Sequence, residues 1–81
     1  MSYRYFAIVT DAHPAEDPFF VVRVGGETEE FFSTALRWER SDALYRIESG
    51  REHWKAVPIG EEQGVGFEEV QARRVAAARK S

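Results

Sequence analysis

Phe19-Phe20-Val21-Val22-Arg23-Val24-Gly25-Gly26-Glu27-Thr28-Glu29-Glu30-Phe31-Phe32-Ser33-Thr34-Ala35-Leu36-Arg37-Trp38 is the stretch on which the fold turns. In its first part Phe20, Val22 and Val24 fall on one side of an extended chain and Arg23 on the other, because successive strand side chains point to opposite faces. Gly25-Gly26 then supplies the conformational freedom that a tight turn between two strands needs. The part from Glu29 to Trp38 reads two ways. Phe31, Phe32, Ala35 and Leu36 fit a helical stripe, whereas Phe32, Thr34, Leu36 and Trp38 fit strand alternation. The glycine turn before it, its aromatic and β-branched content and the missing helix stop before Trp38 favour a strand paired with the preceding one.

Working outward, Tyr3 to Thr10 carries Tyr, Phe, Ile, Val and Thr without helical spacing and reads as a first strand. It ends at the breaker cluster Asp11-Ala12-His13-Pro14, and Asp11 to Pro18, with two prolines and three acids, reads as a loop. Beyond Trp38, Ser41 or Asp42 can cap a short helix in which Ala43, Leu44 and Ile47 share a face, with Gly50 placed for a left-handed C-cap. His53 to Ile59 reads as a strand with Trp54, Ala56 and Pro58 on one face and Lys55, Val57 and Ile59 on the other. Pro58, lacking an N–H, puts it at a sheet edge or at its own end.

The last segment opens with Glu61, Glu62, Glu68 and Glu69 and closes with Arg73, Arg74, Arg79 and Lys80, the charge order a helix dipole favours. Gly64 and Gly66 each cost about 1 kcal/mol inside a helix, so onset at Glu61 and onset near Phe67 both fit. Phe67 and Val70 are expected on the sheet, with the alanine-rich end projecting outward or meeting a second subunit. The expected architecture over residues 1–81 is a single α+β domain. It has a three- or four-stranded, mainly antiparallel sheet, a short middle helix, and a C-terminal helix packed on one face.

With 81 residues the chain can build one core but not two, and so small a core makes association into a homodimer an expectation from the start. Hydrophobic residues make up 43% and aromatics 14%, which argues against disorder. There is no cysteine, hence no disulfide framework and no thiolate nucleophile, and the expected setting is the cytoplasm. The N-terminal stretch lacks the pattern of an export signal, and the longest apolar run, Phe19 to Val22, is too short to span a bilayer. A net charge of -3 speaks against sequence-independent nucleic-acid binding, which needs a dense basic footprint.

The stretch Trp38-Glu39-Arg40-Ser41-Asp42-Ala43-Leu44-Tyr45-Arg46-Ile47-Glu48-Ser49-Gly50, with Val57-Pro58-Ile59-Gly60-Glu61-Glu62 and the opening Tyr5-Phe6-Ala7-Ile8-Val9, resembles small uncharacterised actinobacterial proteins. The resemblance covers about half the chain and departs from the pattern at Gly64 and Gly66. It implies this order of elements and a bacterial cytoplasmic setting, and no catalytic residues.

Among groups with chemistry, His13 shares its loop with Asp11, Glu16 and Asp17, but their spacing fits no metal-binding loop and a solvated acidic turn is expected. His53 follows Glu52 and precedes Trp54, yet neighbours on a strand face opposite sides, so an oriented base is not expected there. Gly64-x-Gly66 is neither a dinucleotide fingerprint nor a phosphate loop. No catalytic set, metal site or cofactor is therefore expected. Trp38 and Trp54 are the informative large residues. If their strands were neighbours, they and Tyr45 would border an aromatic concavity flanked by Arg37, Arg40 and Arg46. Trp38, Arg40, Tyr45, His53 and Trp54 are the candidate binding residues.

The expected role is a non-catalytic interaction or regulatory module, homodimeric or bound to another protein. One alternative is a nucleic-acid accessory protein using Arg73, Arg74, Arg79 and Lys80, although that end lacks interleaved aromatics for stacking on bases. The other is a small enzyme or ligand carrier with a site near His53 and Trp54, which would require an apolar pocket with convergent polar groups.

Overall fold

A computed structural model describes residues 2–79. The elements run β1 (Arg4–Val9), β2 (Phe20–Gly25), β3 (Thr28–Phe32), β4 (Trp38–Arg40), α1 (Ala43–Glu48), β5 (Lys55–Ile59) and α2 (Glu61–Arg79). All pairings are antiparallel and the sheet order is β4-β3-β2-β1-β5, so Pro58 does lie on an edge strand. The chain lays down four strands as successive hairpins, then crosses the sheet through α1 to add β5 beside β1.

There are five strands where three or four are expected, because the segment from Glu29 to Trp38 is two strands and not one. The break lies at Ser33 to Arg37. The Ser33 amide donates to the Arg37 carbonyl at 3.0 Å, the Leu36 amide donates to the Ser33 carbonyl at 2.9 Å, and Leu36 takes φ 61°. The Ser33 hydroxyl accepts from the Ala35 amide at 3.2 Å, a local bond that competes with a continued ladder. Of the four positions read as one strand face, Phe32 and Trp38 do face each other across the new hairpin, while Thr34 and Leu36 stand exposed in the turn. β5 is likewise shorter than expected, beginning at Lys55 rather than His53.

The sheet has an apolar layer on each side. One face carries Tyr5, Val21 and Phe32, closed by Phe67 and Val70 of α2. The other carries Ile8 and Val22, closed by Ala43, Leu44 and Ile47 of α1 with Trp54 and Ala56. α1 is held at its start by β3, since the Glu29 carboxylate accepts from the Ser41 hydroxyl and from the Leu44 amide, and the Ser41 hydroxyl accepts from the Ala43 amide. It ends as the sequence leads one to expect, with Gly50 at φ 76° and the Arg51 amide reaching back to the Arg46 carbonyl at 2.9 Å.

α2 starts at Glu61, and Gly64 explains how it can do so despite its glycines. Gly64 is buried on Tyr5, and a Cβ there would lie 2.2 Å from the Tyr5 ring. The cost in helix propensity is offset by an approach of helix to sheet that no side chain would permit. Lys80, the last of the basic positions, lies outside the described residues.

Candidate functional site

The site follows from a mismatch of lengths. A helix of 19 residues is about 28 Å long, whereas six-residue strands reach about 20 Å. α2 begins level with Tyr5, where Gly64 fixes it, so its last turns run past the opposite end of the sheet, where β1 finishes and β2 starts. On the other face α1 approaches the same end. Between them lies an open cleft of about 1080 Å³.

Its apolar lining is built from Phe19 and Phe20 of β2 and the residue before it, Phe31 and Phe32 of β3, Ala43 of α1, Val75 of α2, and Trp54. Phe20 touches the cores of both faces, which marks it as the point where the two layers meet. Its ring stands edge-on to Trp54 at 5.4 Å between centroids, and Phe19 does the same at 5.7 Å. Phe19 is 40% exposed. The His13 ring stacks on Phe19 at 5.4 Å and 19°, while its buried Nδ1 has no hydrogen-bond partner among the described residues. Stacking, not a hydrogen bond at Nδ1, holds that ring in the wall.

The polar lining comes from Ser33 and Thr34 of the β3–β4 turn, Glu39, Arg40, Ser41 and Asp42 ahead of α1, Arg46 on it, and Gln71, Arg74 and Arg79 on α2. Several of these are already engaged. Arg74 binds the Asp17 carboxylate and donates to the Phe19 carbonyl at 3.2 Å, tying the Asp11–Pro18 loop to α2. Arg46 pairs with Asp42 at 3.1 Å and with Glu52 at 3.8 Å, and Glu39 lies 3.9 Å from Arg37. Arg40 and Arg79 form no ion pair with any described residue. Gln71 is only 6% exposed, yet its side chain forms no hydrogen bond to another described residue.

The structure divides the sequence candidates. Trp54 and Arg40 line the cleft. Trp38 does not; it lies on the α2 face, its indole N–H donating to Glu68 of α2 at 3.1 Å. Trp38 opens β4 and Trp54 precedes β5, the two opposite edges of the sheet, so no concavity forms between them. Tyr45 is exposed on α1 with the Arg51 guanidinium 5.9 Å from its ring centre, and His53 is exposed beside Trp54 but outside the cleft lining. Among the described residues no group of three or more histidines and acids could hold a metal, and no helix is long and apolar enough to cross a membrane.

The sequence reading missed His13, Phe19 and Gln71. Gln71 carried a usable signal, for Gly64, Phe67 and Gln71 recur on one helical face at the spacing of a packed stripe, and a glutamine there stands out among apolar positions. His13 and Phe19 carried none, since their stacking depends on how a loop folds back. No family model, curated protein or solved structure matches the chain.

Proposed function

We propose that the chain is a non-catalytic binding module, of carrier or regulatory type, whose working site is the end cleft and whose ligand is a small molecule with an apolar body. The observation that supports this reading is the composition of the cleft. A largely apolar concavity of about 1080 Å³ is lined by a few polar groups, Gln71 and Arg40 among them, whose side chains have no partner among the described residues. Sites for small molecules have this make-up, with apolar walls supplying affinity and a few polar groups supplying orientation. The bacterial cytoplasmic setting expected from the sequence belongs to the same proposal.

The test is a thermal-shift screen of ring-bearing small molecules against the wild type and Val75→Trp, which fills the cleft from α2. Ligands that raise the wild-type melting temperature should leave the filled variant unmoved, because stabilisation requires binding to the folded state. A screen whose hits stabilise both proteins equally, or that yields none, contradicts the reading.

Exposed Phe19 and Tyr45 favour a second reading, recognition of another protein or of a second copy, since aromatic side chains concentrate at interaction surfaces. Pairing through a sheet edge has little to support it: β4 is three residues long and β5 carries Pro58, both features that blunt an edge. Light scattering over a range of concentrations tests the homodimer; a monomer throughout removes it.

A further inference from the structure

We propose that His13 is a built-in plug of the end cleft: its imidazole lies on the Phe19 ring in the place that a flat aromatic ring of the ligand takes, and binding exchanges one for the other. This inference rests on the small-molecule reading of the cleft and adds the shape of the ligand and the contact that it must displace.

The contrast between a fixed platform and a loose cover carries it. Phe19 is held on both sides of its backbone, its amide donating to the Ile8 carbonyl at 2.9 Å and its carbonyl accepting from Arg74 at 3.2 Å. Its ring stands edge-on to Phe20 at 5.1 Å and to Trp54 at 5.7 Å between centroids, so these neighbours do not stack on it. The His13 ring does, nearly parallel at 5.4 Å and 19°. Both residues line the cleft, and Phe19 still shows 40% of its surface.

The cover is held far less firmly. Among the described residues His13 Nδ1 is the one buried side-chain nitrogen or oxygen without a hydrogen-bond partner, so the stacked ring bears the cost of a desolvated polar atom. Turning the ring out to water removes that cost. The backbone need not follow, because the His13 amide donates to the Thr10 carbonyl at 3.2 Å and its carbonyl accepts from the Thr10 amide at 3.0 Å, and a side-chain rotation breaks neither bond. A ligand ring larger than imidazole covers more of Phe19 and brings no orphaned nitrogen, so the exchange gains apolar burial and gives up no hydrogen bond at Nδ1. Flat rings are favoured because the platform is itself a ring face, on which a puckered body makes fewer close contacts.

The experiment titrates the full chain with naphthol and with decahydronaphthol, its puckered counterpart on the same skeleton, mapping amide chemical shifts and following the Cε1 proton of His13. In the free protein the ring current of Phe19 should hold that proton upfield of its position in a free histidine. Naphthol should bind at the cleft, return the proton to that position, and bind about threefold or more tighter than decahydronaphthol. His13→Ala, with the plug gone, should bind naphthol about fivefold or more tighter than the wild type, since a site that is mostly occupied from within loses affinity in proportion. His13→Phe, a plug with no polar atom to desolvate, should bind it more weakly than the wild type. A residue that merely walls the cleft gives the opposite sign for His13→Ala, a loss of affinity. Naphthol at the cleft with the His13 proton unmoved, with His13→Ala no tighter than the wild type, or with decahydronaphthol bound equally well, overturns the exchange and leaves the cleft a binding site. Naphthol that maps to the cleft in neither the wild type nor His13→Ala overturns it too and, beside a thermal-shift screen without hits, removes the small-molecule reading with it.

Discussion

The two ends of the layer between α2 and the sheet are made from the same ingredients, arginine and aromatic rings, to opposite effect. At the end where α2 begins, the Arg23 guanidinium lies 4.2 Å from the ring centre of Tyr3 and 4.3 Å from that of Trp38, and its nitrogen pairs with Glu30 at 2.8 Å. Trp38 in turn meets Tyr5 edge-on and donates to Glu68. The chain thus supplies partners for the Arg23 guanidinium and for the Trp38 indole N–H. At the end where α2 finishes, Phe19, Phe20 and Trp54 pack on one another just as closely, but the Arg79 and Gln71 side chains in the same cleft lining have no ion-pair or hydrogen-bond partner among the described residues. An arginine–aromatic cluster is thus structural or receptive according to where the cation finds its counterpart.

Substitutions at the filled end should cost stability, and those at the open end should not. The largest effect is expected for Gly64→Ala, whose methyl group would have to displace the Tyr5 ring or lift α2, a loss of about 3 kcal/mol read from denaturant unfolding. Arg23→Ala should cost about 2 kcal/mol, because it removes a stacked cation and leaves a half-buried Glu30 unpaired. Gly66→Ala, two residues from Gly64 but facing open space, should instead stabilise by about 1 kcal/mol from helix propensity alone. Arg79→Ala, at the open end, should shift stability by no more than about 0.5 kcal/mol. If Arg79→Ala costs as much as Arg23→Ala, the two ends are alike and the comparison breaks.

How much of this the sequence discloses depends on the range of the forces involved. The alternation of Phe20, Val22 and Val24, the Gly50 cap and the charge order of α2 are local, and all are legible. The division of the Glu29-to-Trp38 segment is not, because the β-branched and aromatic run conceals a turn closed by Ser33 and by Leu36 in an unusual backbone region. Of the site, Trp54 and Arg40 were visible as residue types, while their separation from Trp38 depends on a sheet order that only the crossover through α1 sets. The basic C-terminal run shows the same limit. Arg73 pairs with Glu69 on its own helix, Arg74 with a loop, and Arg79 enters the cleft, three fates for one run of charge.

Gln71→Leu sets the two ends against each other in a single protein. The Gln71 amide is not among the buried polar atoms left without a partner, so with the amide gone and the shape nearly kept the ligand-free variant should keep its stability to within about 0.5 kcal/mol, and it should bind the ring-bearing hits of the thermal-shift screen more weakly. A clearly lower melting temperature with the affinity for those hits unchanged would mean that Gln71 serves the fold, as Arg23 does, and would contradict the account of the open end.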